Sequence, residues 1–282
     1  MSSSWPIPLD AQCLEVNGYP LTYQDVGHGP AVVLVHGSIV DYRIWEPQIS
    51  GLGRSCRVIA PSLRHYYPER WDGVGDDFTI EQQAADVAAL VKSLHLGRVH
   101  LLGWSRGGLV AVEMARQSPE IIKTLILADG NTTLAGVETD QTRRASEASA
   151  ARLNNLKANI QQGQPERGAQ ELVDSLNGEG AWARLPKARQ QMMLDNISTA
   201  LADVRKPVAR EVFANLRMPV LLLTGENSPV KYGQFYDELR KIRACGPTVT
   251  IPKAAHLMHL ENPDAFNAAV SAFVSAHEQG QS

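Results

Sequence analysis

Ser105 stands at the centre of Gly103-Trp104-Ser105-Arg106-Gly107. An apolar run, Val99-His100-Leu101-Leu102, precedes it, and a small-residue run, Gly107-Gly108-Leu109-Val110-Ala111-Val112, follows. That order reads as strand, sharp turn and helix. A serine at such a turn lifts its hydroxyl clear of a sheet edge, and the flanking glycines let the backbone bend without a clash. The helix N-terminus beside it favours developing negative charge. These are the needs of a hydroxyl nucleophile. Taken alone, Gly-x-Ser-x-Gly also suits an ordinary glycine turn, so its meaning rests on whether the chain supplies a base, a carboxylate and an oxyanion site.

Two other segments supply partners. Ala31-Val32-Val33-Leu34-Val35 reads as a buried strand and ends in His36-Gly37-Ser38. Acyl transfer requires two N–H donors aimed at the oxyanion. The residue after the nucleophile, Arg106, and the loop after the earlier strand, at Ser38, are the expected sources. His36 reads as a buttress of that loop. Downstream, Thr248-Val249-Thr250-Ile251 reads as a short strand, and Asn262-Pro263 as an N-cap with proline at the first helical position. His256 lies in the loop between them, where a general base can reach the serine. Of the other histidines, His95 and His100 read as solvated or structural, His277 falls in a frayed tail, and His259 packs against the following helix.

In this order the segments resemble the α/β-hydrolase family over nearly the whole chain. The resemblance rests on the His-Gly loop, the serine turn, the strand Pro219-Val220-Leu221-Leu222-Leu223-Thr224-Gly225 and the His-x-x-x-x-Glu-x-Pro segment beginning at His256. It implies a doubly wound, mostly parallel sheet and a triad of serine, histidine and acid that needs no metal or cofactor. In most relatives the acid follows the strand placed at 220–224, but the position usually held by Asp is Ser228 here, in Gly225-Glu226-Asn227-Ser228-Pro229. Some relatives carry the acid one strand earlier. There Leu127-Ala128-Asp129-Gly130 puts Asp129 at a strand's carboxyl end, on the edge shared with Ser105 and His256. Asp129 is therefore favoured over Glu226. The plainer readings are a turn residue before Gly130 and a solvated loop carboxylate. Epoxide and haloalkane cleavage are disfavoured, because those relatives place Asp where Ser105 stands. Carbon–carbon bond hydrolysis, cofactor-free perhydrolysis and ligand reception on a retained triad stay open.

A chain of 282 residues suits one large α/β domain with an inserted segment. The net charge of −3, without basic patch or acidic tail, gives no sign of a nucleic-acid partner. Met1-Ser2-Ser3-Ser4-Trp5-Pro6 lacks a basic start followed by an apolar segment, and no apolar run reaches membrane-spanning length. Cys13, Cys56 and Cys245 form no metal spacing, and their odd number suits a reducing compartment. The expected location is cytoplasmic and the expected partner a small-molecule substrate.

The elements that must position the site can also be read. A hairpin is expected over 13–27 with Asn17-Gly18 as its turn, and a strand over 57–60 closed by Pro61. A helix is expected within 76–97, with Thr79 and Gln82 as a capping box, an apolar stripe of Ala84, Val87, Ala88 and Val91, and Gly97 at its end. Thr124-Leu125-Ile126-Leu127-Ala128 is the next strand. Alternating strands and helices predict the doubly wound sheet. From 134 to 211 the strand pattern lapses. Helical stripes replace it: Leu153, Leu156 and Ile160; Ala169, Leu172, Val173 and Leu176; Leu194, Ile197, Leu201 and Val204. The segment 134–211 reads as a helical cap set into a core of 1–133 and 212–282, roofing the serine. Trp104, Trp182 and Met193 are candidate substrate contacts, with core packing the alternative for each. The expected function is a serine hydrolase cleaving an ester or lactone of a small, mainly apolar substrate.

Overall fold

β1 (Gln12–Val16) and β2 (Tyr19–Val26) are joined by Asn17 and Gly18, both at positive φ, 49° and 73°. That is the geometry an Asn-Gly hairpin turn adopts. The computed structural model describes residues 10–130, 134–136, 140–243, 245–246 and 248–278. β3 (Ala31–Val35), β4 (Arg57–Pro61), β5 (Val99–Trp104), β6 (Ile122–Ala128), β7 (Val220–Gly225) and β8 (Thr248–Ile251) complete one eight-stranded sheet. Its order is β1-β2-β4-β3-β5-β6-β7-β8. Among the described residues only the β1–β2 and β2–β4 pairs are antiparallel.

The central strands read as near-continuous apolar runs because both faces are covered. Val33 and Val35, Leu101, Leu125 and Leu127, and Leu222 enter one apolar layer. Their neighbours Val32 and Leu34, Leu102, Ile126, and Leu221 and Leu223 enter the other. The first layer packs under α2 (Ile80–Ser93) and α3 (Arg106–Gln117), and under α10 (Lys231–Ile242). The second packs under α1 (Glu46–Leu52) and α12 (Pro263–Glu278), with α11 (Met258–Glu261) just before.

Local signals set the helix ends. Thr79 Oγ1 accepts the Gln82 N–H at 3.0 Å and starts α2. The capping box is half formed, because the Gln82 side chain donates to Asp86 Oδ1 at 2.9 Å instead of returning to Thr79. Asn262 Oδ1 accepts the Ala265 N–H at 3.2 Å and starts α12. That helix continues to Glu278, so His277 is helical rather than in a frayed tail. Residues 279–282 and the N-terminal hexapeptide lie outside the described residues.

Between β6 and β7 the chain forms α4 (Asp140–Gln161), α5 (Pro165–Asn177), α6 (Ala181–Arg184), α7 (Lys187–Asp195), α8 (Thr199–Ala202) and α9 (Arg210–Ala214). The first two expected stripes fall on α4 and α5. The third is broken: α7 stops at Asp195, α8 begins at Thr199, and Val204 is exposed. Asn196 is the cause. Its amide donates to Asp41 Oδ2 (2.7 Å) and to the Met192 carbonyl (2.8 Å), and its Oδ1 accepts the Tyr67 N–H (2.7 Å). These bonds fix a turn and pin it to the core. One isolated bridge, Leu134 with Val208, joins the two ends of the insertion. Among the described residues no helix is long and apolar enough to cross a membrane.

Gly107 shows how tightly α3 approaches the sheet. A Cβ there would lie 2.3 Å from the Val35 carbonyl oxygen and 2.5 Å from that of His36. Gly107→Ala should lower the unfolding free energy by about 1–3 kcal/mol, seen as an earlier urea midpoint. Gly233→Ala in α10, where a Cβ meets nothing within 4 Å, should hold or raise that midpoint.

Candidate active site

Ser105 joins β5 to α3 at φ 54° and ψ −124°. A residue with a Cβ holds such a conformation at a cost of about 1–3 kcal/mol. The neighbouring glycines make room for it. A Cβ on Gly103 would lie 2.4 Å from the Gly107 carbonyl oxygen, and one on Gly37 would lie 2.8 Å from the Trp104 ring and 3.0 Å from Ser105 Cβ. The loop after β3 can therefore close on Ser105 only through a glycine.

The structure brings Ser105, His256 and Asp129 together. Ser105 Oγ is 3.0 Å from His256 Nε2, and His256 Nδ1 is 3.1 Å from Asp129 Oδ2. Against a carboxylate, Nδ1 carries the proton, which leaves Nε2 to accept from the serine hydroxyl. Asp129 is fully buried just past β6, with its N–H donating to the Leu223 carbonyl at 2.9 Å. Its carboxylate also accepts from Thr224 Oγ1 (2.7 Å) and Ser228 Oγ (2.6 Å). Ser228, standing where the family resemblance led to an acid, thus holds the acid that the neighbouring strand provides. Glu226 is exposed and accepts the Lys253 N–H at 2.7 Å, apart from this group.

Two rings fix the imidazole of His256. Tyr232 stacks on it at 5.0 Å between centroids with 5° between planes, and Trp104 lies at 5.1 Å on a tilt. Trp104 Nε1 also donates to the His256 carbonyl at 2.9 Å. Burial lowers the His256 pKa below the ordinary imidazole value. The hydrogen bond and charge of Asp129 oppose that shift, while Lys231 and Arg205 add to it. The ring is consequently neutral at pH 7. The other buried histidines have structural surroundings. His36 Nδ1 donates to the Gly37 carbonyl at 2.8 Å and its Nε2 accepts the Leu63 N–H at 3.0 Å. Burial pushes its pKa down to about 3. His259 is enclosed by Trp45, Trp104 and Phe266. His100 bridges Thr124 and Glu278.

Arg106 opens α3, so its N–H is one of those a helix leaves without an intrahelical partner. Its side chain turns away and is buried. Nε donates to Asp203 Oδ1 (3.0 Å), Nη1 to Gln83 Oε1 (2.6 Å), and the guanidinium lies 4.7 Å over Phe78. Asp203, just after α8, also accepts from Arg205 Nε (3.0 Å) and Nη2 (2.7 Å). Arg205 Nη2 donates in turn to Ser38 Oγ at 2.8 Å. Burial alone would raise the Asp203 pKa, but Arg205 and Arg106 outweigh it and hold the carboxyl well below its usual range. Both residues expected at the oxyanion site are thereby tied to one carboxylate of the insertion. Beside Ser38, Ile39 sits at φ 51°, a second strained position in the loop.

A cavity of about 70 Å³ opens over Ser105 and His256. Leu153 and Leu156 of α4, Leu172 and Leu176 of α5, Met193 of α7 and Trp104 form its apolar wall. Arg152, Arg205 and Lys231 also line it. Trp182 does not: it is buried in the apolar cluster, with its N–H bound to Asp174 and its carbonyl to Gln190. Among the described residues no group of three His, Cys, Asp or Glu side chains could hold a metal ion.

Asp203 balances buried Arg106. Removing one partner of such a pair costs about 3–5 kcal/mol, so Asp203→Ala should shift the urea midpoint strongly downward. Arg116→Ala, which breaks a half-exposed pair with Glu113, should cost under about 1 kcal/mol.

Residues 32–269 match the alpha/beta hydrolase family. The chain is similar to a thermophilic esterase from Thermogutta terrifontis, solved with malate bound, at TM-score 0.74 and 26% identity over 95% of this chain and 99% of that one. It shares its fold with the enol-lactonase from Burkholderia xenovorans, at TM-score 0.74 and 22% identity over 94% of this chain and 100% of that one. It is 32% identical over 120 residues, 43% of its length, to an uncharacterized protein of Mycobacterium tuberculosis, and that match spans 35% of the mycobacterial protein. The family match begins in β3 and ends in α12, enclosing Ser105, Asp129 and His256, and the chain belongs to the alpha/beta hydrolase family.

Proposed function

We propose that this chain hydrolyses carboxylic esters or lactones through an acyl-enzyme on Ser105. The observation that carries this reading is the hydrogen-bonded relay from Ser105 through His256 to Asp129, with spacings of 3.0 Å and 3.1 Å. Ser105 Oγ attacks the carbonyl carbon while its proton passes to His256 Nε2. Asp129 holds the tautomer and supports the imidazolium. The backbone N–H groups of Ser38 and Arg106 donate to the oxyanion. As the tetrahedral adduct collapses, the leaving alkoxide takes the proton from His256. A water molecule then gives a proton to His256 and attacks the acyl carbon. As the acyl–oxygen bond breaks, His256 returns that proton to Ser105 Oγ, releasing the carboxylic acid.

The segment 134–211 acts as a cap over this chemistry. Leu156, Leu172, Leu176 and Met193 pack the hydrocarbon part of the substrate. The cavity, about 70 Å³, is small, which favours a small substrate. The likeness to an esterase at 26% identity supports ester chemistry.

An organophosphonate should add to Ser105, seen as a mass shift on its peptide and absent in Ser105→Ala. With p-nitrophenyl esters, Asp129→Asn should fold normally and lose about 10³–10⁴-fold in kcat. Glu226→Gln should stay near the parent rate. Because only the neutral ring of His256 can act as base, kcat/KM should fall with decreasing pH through a value below 6.5. The assignment is overturned by labelling that survives Ser105→Ala, or by a crippled Glu226→Gln beside an active Asp129→Asn. Met193→Ala should change the kcat/KM ratio between short and bulky esters by about 10–200-fold, and an unchanged ratio would place the cap's role elsewhere.

A further inference from the structure

The wall of the Ser105 cavity holds more positive charge than the protein answers. Arg152 comes from α4, Arg205 from the segment after α8, and Lys231 from the first position of α10. Two carboxylates lie near them. Asp203 is shared between Arg205 and buried Arg106. Asp129 is engaged by His256, Thr224 and Ser228. Lys231 donates to a neutral partner, Ser149 Oγ, at 2.9 Å, and lies 4.6 Å over the Tyr232 ring. Among the described residues Arg152 makes no hydrogen bond or ion pair. Counting buried Arg106, four cations therefore stand against two carboxylates. Like charges gathered in a partly desolvated wall repel one another more strongly than they would in water, and an anion from outside relieves that repulsion.

On the reading of Ser105 as the acylated nucleophile, we propose that Arg152 and Lys231 form a carboxylate subsite, and that the preferred substrates are esters or lactones carrying a free carboxylate. The guanidinium fork of Arg152 offers paired donors to a planar carboxylate, and Lys231 adds a point charge from the facing helix. The apolar side chains of Leu156, Leu172 and Leu176 take the carbon chain between the scissile carbonyl and the charged end. The electrostatics of the empty cavity agree with this arrangement. Burial, then Arg152 and Arg205, press the Lys231 pKa down to about 7, and Asp129 partly opposes them. The groups facing Lys231 are Ser149 and Arg152 on α4, Arg205, Asp129, Tyr232 and His256. A bound carboxylate favours the charged lysine, so anion preference should weaken as pH rises through about 7.

The test compares p-nitrophenyl hydrogen glutarate with p-nitrophenyl valerate, which differ mainly in carboxylate against methyl, after subtraction of uncatalysed hydrolysis. The parent protein at pH 6.5 should prefer the glutarate in kcat/KM by about 10–100-fold. That ratio should fall towards one in Arg152→Gln and in Lys231→Met. A parent ratio at or below one overturns the subsite, as does a ratio unchanged in both variants. Calorimetric titration with glutarate and with its neutral diamide reads the subsite without turnover. Glutarate binding that weakens about tenfold in Arg152→Gln, with neither ester hydrolysed, would keep the subsite and overturn the hydrolase reading. Hydrolysis of both esters at equal kcat/KM, with no glutarate binding, would keep the hydrolase and overturn the subsite.

Discussion

The positive φ of Ser105 can be held only while β3, β5 and α3 approach one another so closely that no Cβ fits between them. Gly103 and Gly107 meet carbonyl oxygens and Gly37 meets the Trp104 ring, so the strain at one residue is maintained by contacts from three elements. Those contacts also bring the loop after β3 over the serine. The sheet around them is apolar on both faces, which keeps the strained turn from relaxing into a looser one.

The insertion is fastened to this edge at chosen points. Asn196 ties it to Asp41 and Tyr67, and Asp203 ties it to Arg106. The second tie joins the insertion to the residue that follows Ser105, through charge-assisted hydrogen bonds in a buried setting. Displacing residues 203–205 would unbalance Arg106 and release Ser38 Oγ together. α4 and α5 reach the same cavity with leucines and with Arg152. The two sides of the insertion thus do different work. One steadies the edge of the sheet, and the other lines the cavity over Ser105.

Much of this was legible in the sequence, for physical reasons. The Gly-x-Ser-x-Gly turn, the Asn17-Gly18 hairpin and the Asn262-Pro263 start are local conformational signals. Asp129 could be placed because it directly follows an apolar run that reads as a strand, and His256 because it lies in the loop between the strand at 248–251 and the Asn262-Pro263 helix start. What escaped were contacts between residues distant in the chain. Nothing local marks Ser228 as a donor to Asp129, Tyr232 as a stacking partner of His256, or Asp203 as the counter-ion of Arg106, 97 positions away. The third stripe of the insertion broke because the bonds of Asn196 outweighed its periodicity. The meeting of Arg152, Arg205 and Lys231 in one cavity wall likewise exists only in three dimensions. Trp182 carried an aromatic signal, but its neighbours are those of a core residue.

β5 and β6 are adjacent parallel strands, paired up to Trp104 and Ala128, so Ser105 and Asp129 leave the sheet side by side from one hydrogen-bonded ladder at its centre. His256 arrives differently, from the turn after β8, a four-residue strand at the rim that among the described residues pairs with β7 alone. Rims fray before centres do. Breathing of the last strand would carry the imidazole away while hydroxyl and carboxylate stay in register, and its return would rebuild the group without refolding the rest. Heat should therefore part the imidazole from Ser105 and Asp129 at temperatures where the central sheet is still intact.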